Sequence, residues 1–266
     1  FLRSPIITAQ DAEGAGEMFR VSTLSPNELP RDQKGKVDHT QDYFGEETFL
    51  AVTGQLEAES YALGLGGVYT FGPTFRSENS NTPRHLAEFW MVEPEMAYCD
   101  LSENMEWAEK LIHFIIKRVL KNKRSELRVL ERDIPQLKEA LKPFPRISYT
   151  EGVNMLKKGG IDFEWGDDFG APHETFIAKK FEQPVIVHRF PAEIKAFYMK
   201  RDPENEKVVL GMDILAPEGY GEIVGGSERE TSIDVLEARI AEESLNQADF
   251  DWFLDLRRYG SVPHSG

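Results

Sequence analysis

GPTFRSENSNTPRHLAEFWMVEPE, residues 72–95, places two arginines and a histidine close to four glutamates. The apolar run 68–71 leads into this stretch and the run 89–92 leads out, and both are typical of strands bounded by turn residues. Between them the composition is that of a polar loop, with Asn, Ser, Thr and Pro over residues 77–83. The stretch therefore predicts a strand, a loop and a returning strand.

The charges of this hairpin are sorted by face. Residues two apart on a strand share a face, so Arg76 and Glu78 point one way, and Glu93 and Glu95 share a face of the return strand. A cationic face beside an acidic one suits a substrate that carries both phosphate and ammonium groups.

The composition excludes several classes. The chain has 46 acidic and 31 basic side chains, a net charge of −15, which argues against a nucleic-acid coat over the whole surface but not against a local basic patch. The single cysteine, Cys99, excludes an internal disulfide, and without a Cys/His cluster a structural zinc site is disfavoured. No long apolar run or signal peptide is present, so we predict a cytoplasmic protein with no membrane partner.

Elsewhere the sequence is a mixture of helix and strand signals. Apolar residues recur every three or four positions over residues 101–122, behind a capping box formed by Asp100 and Glu103. Residues 195–200 and 207–216 are predicted as antiparallel strands joined by a turn. Strands and helices do not alternate regularly, which disfavours a doubly wound parallel sheet.

Two carboxylates indicate a possible metal site. Asp213 lies in an apolar strand and Glu222 opens the next one, and an acidic group in such a place is costly unless it is paired or metal-bound. Two carboxylates on neighbouring strands could hold magnesium. The alternative is a salt bridge from Asp213 to Lys195 or Arg229.

Phosphate binding would have to use side chains, because the chain has neither a P-loop motif nor a strand-linked GxGxxG. Arg76 can bind a phosphate through two hydrogen bonds. The glycines before Arg229 mark either a close ligand or a β-bulge. Phe89 is either a core residue or a stacking surface for a purine.

Residues 75–89, FRSENSNTPRHLAEF, closely resemble motif 2 of the class II aminoacyl-tRNA synthetases of the aspartate, asparagine and lysine subgroup. Four further segments resemble the asparaginyl members: TGQL at 53–56, FWMVEPEM at 89–96, GEIVGGS at 221–227 and RRYGSVPHSG at 257–266. The resemblance extends over essentially the whole chain.

This resemblance implies an α+β fold, with an antiparallel class II catalytic sheet flanked by helices and a helical insertion at residues 125–183. Residues 1–266 would form a catalytic domain that is incomplete at both ends, because motif 3 and an anticodon-binding domain are not seen. It also implies a homodimer, with Pro5 at its interface. The reaction would use ATP and Mg2+ to form asparaginyl-adenylate and then transfer asparagine to tRNA(Asn).

The family pattern also implies roles for individual residues. Arg76 would be catalytic and hold the α-phosphate. The other implied ATP-binding residues are Arg84, His85, Leu86, Phe89 and Glu222. The implied amino-acid-binding residues are Glu13, Thr53, Gln55, Glu93 and Arg229. Glu78, Asn79, Ser80 and Asn81 would face the tRNA acceptor end, and Asp213 and Glu222 would bind the metal.

Specificity for asparagine follows from three positions. The aspartyl members carry a lysine where this chain has Ala58, which removes an attraction for a second substrate carboxylate. Glu93 stands where they have an aspartate and would accept a hydrogen bond from the substrate amide, while Arg229 would donate one to its oxygen. Glu93 would repel a carboxylate, and a buried unpaired charge costs several kcal/mol.

Two other functions remain open on the same scaffold. One is an asparagine synthetase that amidates aspartate through an adenylate, which Ala58 and Glu93 disfavour. The other is a non-catalytic paralogue, which the intact Arg76 and Phe89 disfavour. Without motif 3, we expect the segment by itself to be weak or inactive in ATP–pyrophosphate exchange.

Overall fold

The computed structural model describes residues 1–9, 18–79 and 85–266. Its strands are β1 (Ile7–Thr8), β2 (Arg20–Val21), β3 (Thr48–Leu50), β4 (Gly67–Phe75), β5 (Glu88–Ala97), β6 (Arg146–Ser148), β7 (Val185–His188), β8 (Arg201–Asp202), β9 (Asn205–Val209), β10 (Gly211–Ala216), β11 (Gly221–Ser227) and β12 (His264–Ser265). Its α-helices are α1 (Gln55–Leu65), α2 (Leu101–Asn122), α3 (Arg124–Val129), α4 (Ile134–Glu139), α5 (Tyr149–Lys158), α6 (Ala171–Ala178), α7 (Ile233–Glu242) and α8 (Asp251–Arg258).

The chain divides into two compact units. The first contains Phe1–Ala97 and Glu237–Val262, and the second contains Tyr98–Leu236 and Pro263–Gly266. Both combine helices with strands, and most strand pairs are antiparallel, so the predicted α+β class is confirmed. The pair formed by β6 and β7 is parallel.

The first unit is built around the hairpin of β4 and β5. The two strands pair antiparallel over their length, with Thr70 opposite Glu93 and Thr74 opposite Phe89. Val68, Thr70 and Thr74 are buried, whereas the residues that alternate with them are more exposed, as expected for a strand with one covered face. The two predicted strands are confirmed and are longer than the apolar runs indicated, while residues 80–83 of the predicted loop lie outside the described residues.

A smaller sheet accompanies the hairpin in this unit. Its order is β1, β3, β2, all antiparallel. The backbone N–H of Phe75, at the end of β4, donates to the carbonyl of Ala51 just after β3. Because residues 53–55 follow directly, this contact fixes the start of α1 beside the hairpin.

The second unit contains a four-stranded sheet in the order β11, β10, β7, β6. Strand β10 is buried along its whole length, as expected for a central strand. One side chain cluster, including Tyr149, Leu156, Ile177 and Phe190, joins α5 and α6 to the sheet. The predicted insertion, residues 125–183, contains α3 to α6 and also supplies β6 to this sheet.

Helix α2 has the predicted bounds. The Asp100 carboxylate accepts from the Glu103 N–H at 2.8 Å, and the Glu103 carboxylate accepts from the Asp100 N–H, so both parts of the capping box are present. Leu101 and Met105 pack against Met212 of β10. The periodicity therefore identified the helix, but the buried face only in part, because Leu111 and Ile115 of the apolar repeat are exposed.

The prediction of a strand at residues 195–200 is wrong. Residues 195–200 follow a short 3-10 helix, Ala192–Ile194, and consist of a bend, a turn and an isolated bridge residue, while the hairpin lies further along, between β8 and β9. The side chains explain the difference, because Phe197 and Tyr198 are consecutive and both buried, which a half-buried strand does not allow.

One ion pair in the first unit is fully buried. Arg257 of α8 donates to Glu59 of α1 at 2.9 Å, and neither side chain is exposed to solvent. The Arg257 guanidinium also lies 4.1 Å from the centre of the Phe253 ring. The pair ties two helices that are almost 200 residues apart in the sequence.

We expect Arg257→Met to lower the free energy of unfolding by about 3–5 kcal/mol, because it leaves the Glu59 charge buried without its partner. Arg258→Met is the matched control. Arg258 is the next residue, and its ion pair to Asp255 is partly exposed, so that this variant should lose much less stability than Arg257→Met. Chemical denaturation of the two variants measures both values, and equal losses would contradict the assignment.

Asp42 provides a pH-dependent contribution to stability. Its carboxylate accepts from the Ser22 hydroxyl at 2.5 Å, the Thr23 hydroxyl at 2.7 Å and the Tyr43 N–H at 2.6 Å. The hydrogen bonds from Ser22 and Thr23 lower the pKa of Asp42 to about 2. A lowered pKa stabilises the folded state above the unfolded value, near 4, and this contribution is lost as the pH falls towards 2.

Accordingly, Asp42→Asn should destabilise the chain at pH 7, and the difference from the wild type should shrink between pH 4 and pH 2. Unfolding midpoints measured across this range test the expectation. A difference that stays constant with pH would show that the ionised carboxylate is not what stabilises this loop.

Candidate active site

The Glu93 carboxylate lies at the centre of a hydrogen-bond network in the first unit. The Thr53 hydroxyl donates to one of its oxygens and the Thr70 hydroxyl donates to the other at 2.8 Å. The Gly54 N–H lies 3.3 and 3.2 Å from the two oxygens. These contacts join β5 to β4 and to the start of α1, and they bring together the predicted residues Thr53 and Glu93.

Close packing at Gly54 makes this arrangement possible. A Cβ atom at Gly54 would lie 2.6 Å from the Ser4 hydroxyl oxygen and 3.3 Å from the Thr70 methyl carbon. Any larger residue would therefore have to displace the Ser4 side chain and press against Thr70. The sequence TGQL thus needs glycine at this position for a steric reason.

Gln55, the third predicted residue of this region, begins α1. Its N–H donates to the Thr53 hydroxyl oxygen at 3.0 Å, and its side-chain amide donates to Glu59 at 3.1 Å. Burial, and to a smaller extent the charge of Glu93, raise the pKa of nearby Glu57. The region is therefore negative and suits a bound ammonium group.

Arg76 follows β4 directly. Its guanidinium carbon lies 5.5 Å from the centre of the Phe89 ring. The backbone N–H of Arg76 donates to the Ala87 carbonyl at 3.1 Å. The structure thus brings the predicted phosphate-binding arginine and the predicted adenine-stacking ring together. Stacking on the ring orients the planar guanidinium, which a bidentate phosphate contact requires.

Four other predicted residues of the hairpin fall within the described part of the chain. His85, Leu86, Glu78 and Asn79 are all exposed. Glu13, Ser80, Asn81 and Arg84 lie outside the residues that the structure describes.

Two carboxylates converge in the second unit. Asp213 of β10 pairs with Gly225 of β11, and a Cβ atom at Gly225 would lie 2.8 Å from a Glu222 oxygen and 3.6 Å from an Asp213 oxygen. The missing side chain of Gly225 therefore leaves space between both groups. Glu222 is exposed and Asp213 is largely buried, so this geometry suits a divalent cation that is reached from solvent.

Asp213 also has a cationic neighbour. The Lys195 ammonium lies 2.9 Å from the Asp213 carboxylate and 4.1 Å from the centre of the Phe190 ring. Burial by itself would lower the pKa of Lys195, but the charge and the hydrogen bond of Asp213, together with the charges of Glu222 and Asp168, outweigh it and raise the pKa. The salt bridge to Lys195, one of the two alternatives for Asp213, is thus present.

Arg229 is almost completely buried in the second unit. Its guanidinium donates to the Ser227 hydroxyl at 2.7 Å and lies 5.2 Å from the centre of the Tyr198 ring. These contacts fix the direction of the Arg229 side chain, which was predicted to donate a hydrogen bond to the amide oxygen of the substrate.

Sequence reasoning missed Thr70 and Glu57, and it considered Lys195 only as a salt-bridge partner. Thr70 lies within the apolar run 68–71. Its small polar side chain in that run was the sequence signal for a specific partner. Ala58, which was predicted to matter for specificity, is fully buried against Ala62 and Val68.

A family model described as "tRNA synthetases class II (D, K and N)" matches residues 2–266 of the chain. The chain belongs to this family. The resemblance seen in motif 2 is therefore confirmed over nearly the whole length.

Curated relatives are similar across the entire chain. An asparagine–tRNA ligase of Desulforamulus reducens is 51% identical over 99% of this chain and 57% of its own length. A ligase of the same name from Mannheimia succiniciproducens is 51% identical over 100% of this chain and 59% of its own length. The chain thus spans less than two thirds of the curated relatives it matches.

Solved structures agree with the family assignment. The asparaginyl-tRNA synthetase of Pyrococcus horikoshii, complexed with asparaginyl-adenylate, matches with a TM-score of 0.89 and 41% identity. The match covers 99% of this chain and 56% of that one. This likeness confirms the class II synthetase fold.

Among the described residues, no helix combines the length and apolar character needed to cross a bilayer.

We expect Gly225→Ala to weaken divalent-cation binding by about 10-fold to 100-fold, the scale seen when the orientation of metal-binding groups is disturbed. The added methyl would lie between Glu222 and Asp213. Titration with Mn2+, followed by electron paramagnetic resonance, measures this change. Gly72→Ala is the control, because a Cβ atom there meets nothing within 4 Å; equal Mn2+ affinity in both variants would contradict the site.

Proposed function

We propose that this chain is the larger part of the catalytic region of an enzyme that ligates asparagine to tRNA(Asn). The observation that carries the proposal is the Glu93 carboxylate, whose hydrogen-bond donors include the neutral hydroxyls of Thr53 and Thr70. The chain that contains it is about 51% identical to a curated asparagine–tRNA ligase. Homodimerisation through the Pro5 region and a cytoplasmic location belong to the same proposal. So does the assignment of residues 1–266 to one catalytic domain that contains an insertion at 125–183.

The reaction has two steps. In the first, the asparagine carboxylate attacks the α-phosphorus of ATP, and pyrophosphate leaves. Arg76 binds the α-phosphate and stabilises the charge that develops in the transition state, while Phe89 stacks on adenine. In the second step, a hydroxyl of the terminal ribose of the tRNA attacks the carbonyl carbon, and AMP leaves.

Mg2+ would be held by Asp213 and Glu222 and would supply charge neutralisation for the ATP phosphates. The fit rests on the convergence of both carboxylates over Gly225. Lys195 keeps Asp213 oriented through its 2.9 Å ion pair. Glu222, Arg84, His85 and Leu86 are the further groups proposed for ATP.

Asparagine recognition divides between an acceptor and a donor. Glu93 accepts from the substrate amide N–H, and Arg229 donates to the amide oxygen, in an orientation fixed by Ser227 and Tyr198. Thr53, Gln55 and Glu13 are proposed to lie around the α-amino group. An aspartate substrate would place a second carboxylate near Glu93, and at short range two like charges repel strongly in a partly desolvated site.

The tRNA acceptor end is proposed to contact the loop that follows Arg76. Glu78 and Asn79 are exposed at its beginning, and Ser80 and Asn81 continue it in the sequence. Exposure of the described part of this loop is compatible with contact to a large partner.

Arg76→Lys should lower asparagine-dependent ATP–pyrophosphate exchange, measured in the protein that carries this chain, by about 10²–10³-fold. A lysine retains the charge but cannot form the bidentate contact. Arg31→Lys, an exposed arginine that donates to the Gly35 carbonyl, is the control and should leave exchange unchanged.

Two results would overturn the proposal. Exchange that depends on aspartate in place of asparagine would favour the synthetase that amidates aspartate. Failure of the wild-type protein to exchange with either amino acid or to bind ATP would favour a non-catalytic paralogue.

A further inference from the structure

The donors around Glu93 share one property: all of those in residues 1–9, 18–79 and 85–266 are neutral. They are the hydroxyls of Thr53 and Thr70 and the N–H of Gly54. Neutral donors orient a carboxylate and favour its ionised form, yet they leave its net charge in place. An ion pair would have cancelled that charge.

The acceptor capacity of Glu93 is nearly used by these contacts. An ionised carboxylate has about four lone-pair positions. Three donors, one of them shared between both oxygens, take most of them. The remaining capacity suits one incoming N–H group and leaves little freedom for the carboxylate to turn away from a ligand that it repels.

Thr70 acts only through Glu93. It lies directly opposite Glu93 in the pairing of β4 and β5, and just 2% of its surface is exposed. Its hydroxyl is thus committed to the carboxylate, whereas Thr53 approaches the other oxygen from the chain before α1. Together the two threonines hold the carboxylate through one oxygen each.

We propose that Thr70, with Thr53 as its counterpart, is a positioning residue that sets the preference for an amide over a carboxylate side chain in the bound amino acid. The inference rests on the proposed function, since it assumes that Glu93 reads the substrate side chain. Without the Thr70 hydroxyl, Glu93 can rotate, and a carboxylate that turns away from the ligand no longer opposes a second carboxylate there.

The same hairpin supplies a matched control. Thr74 is on the same strand and face as Thr70, it is buried to a similar degree, and its hydroxyl also donates across the hairpin, to the Phe89 carbonyl at 3.2 Å. Thr74→Val therefore removes a buried hydroxyl from β4 without touching Glu93.

The test compares two non-hydrolysable probes, the sulfamoyl analogues of asparaginyl-adenylate and aspartyl-adenylate, by calorimetry with the protein that carries this chain. We expect Thr70→Val to reduce the ratio of the two affinities at least 10-fold. Thr70→Ser, which keeps the hydroxyl, should restore the wild-type ratio, and Thr74→Val should leave it unchanged. Thr53→Val, assayed in the same way, keeps the test decisive if Thr70→Val does not fold.

The outcomes separate the inference from the proposed function. If the wild type prefers the asparaginyl probe and the folded Thr70→Val and Thr53→Val variants keep that preference, the positioning role is wrong and the proposed function stands. An equal fall of the ratio in Thr74→Val would also overturn the role, because it would show a general loosening of the hairpin. A wild type without preference for the asparaginyl probe would refute the proposed function itself.

Discussion

The first unit depends on one constraint: a carboxylate inside a hairpin must have its oxygens hydrogen-bonded. Glu93 meets this requirement with donors from β4 and from the two residues before α1. A lost partner would leave a partly buried charged group unsatisfied, which costs more than the hydrogen bond contributes when it is made. The hairpin register, the helix start and the glycine at position 54 are therefore fixed by the same group.

Much of this architecture could be predicted from local patterns. The bounds of α2 followed from a capping box and a 3.6-residue period, and the hairpin followed from two apolar runs around a polar loop. The strand expected at 195–200 failed because a local pattern does not show that Phe197 and Tyr198 are both buried. Burial of consecutive residues is decided by the tertiary structure, which overrides strand propensity.

The residue types of the candidate site could be predicted from the sequence, but the contacts between those residues could not. Motif resemblance identified Arg76, Phe89, Glu93 and Asp213, because their chemistry is visible in the sequence. It could not show that Arg76 stacks on Phe89, or that Thr70 stands opposite Glu93, because both contacts depend on the strand register. A register shift of one residue would move Thr70 to the other face of the strand.

Glu93 and Asp213 show how the choice of partner determines the task of a carboxylate. Asp213 is paired with the Lys195 ammonium, which offsets its charge and makes a buried acid tolerable beside Glu222. Glu93 has only neutral donors among the described residues, so no cation there cancels its charge. In the proposed function, that charge distinguishes an amide from a carboxylate, two groups that shape alone hardly separates. If the two partners were exchanged, a cation at Glu93 would cancel that discrimination and neutral donors at Asp213 would leave two acidic groups in uncompensated repulsion. The partners are therefore as much a part of the recognition chemistry as the carboxylates themselves.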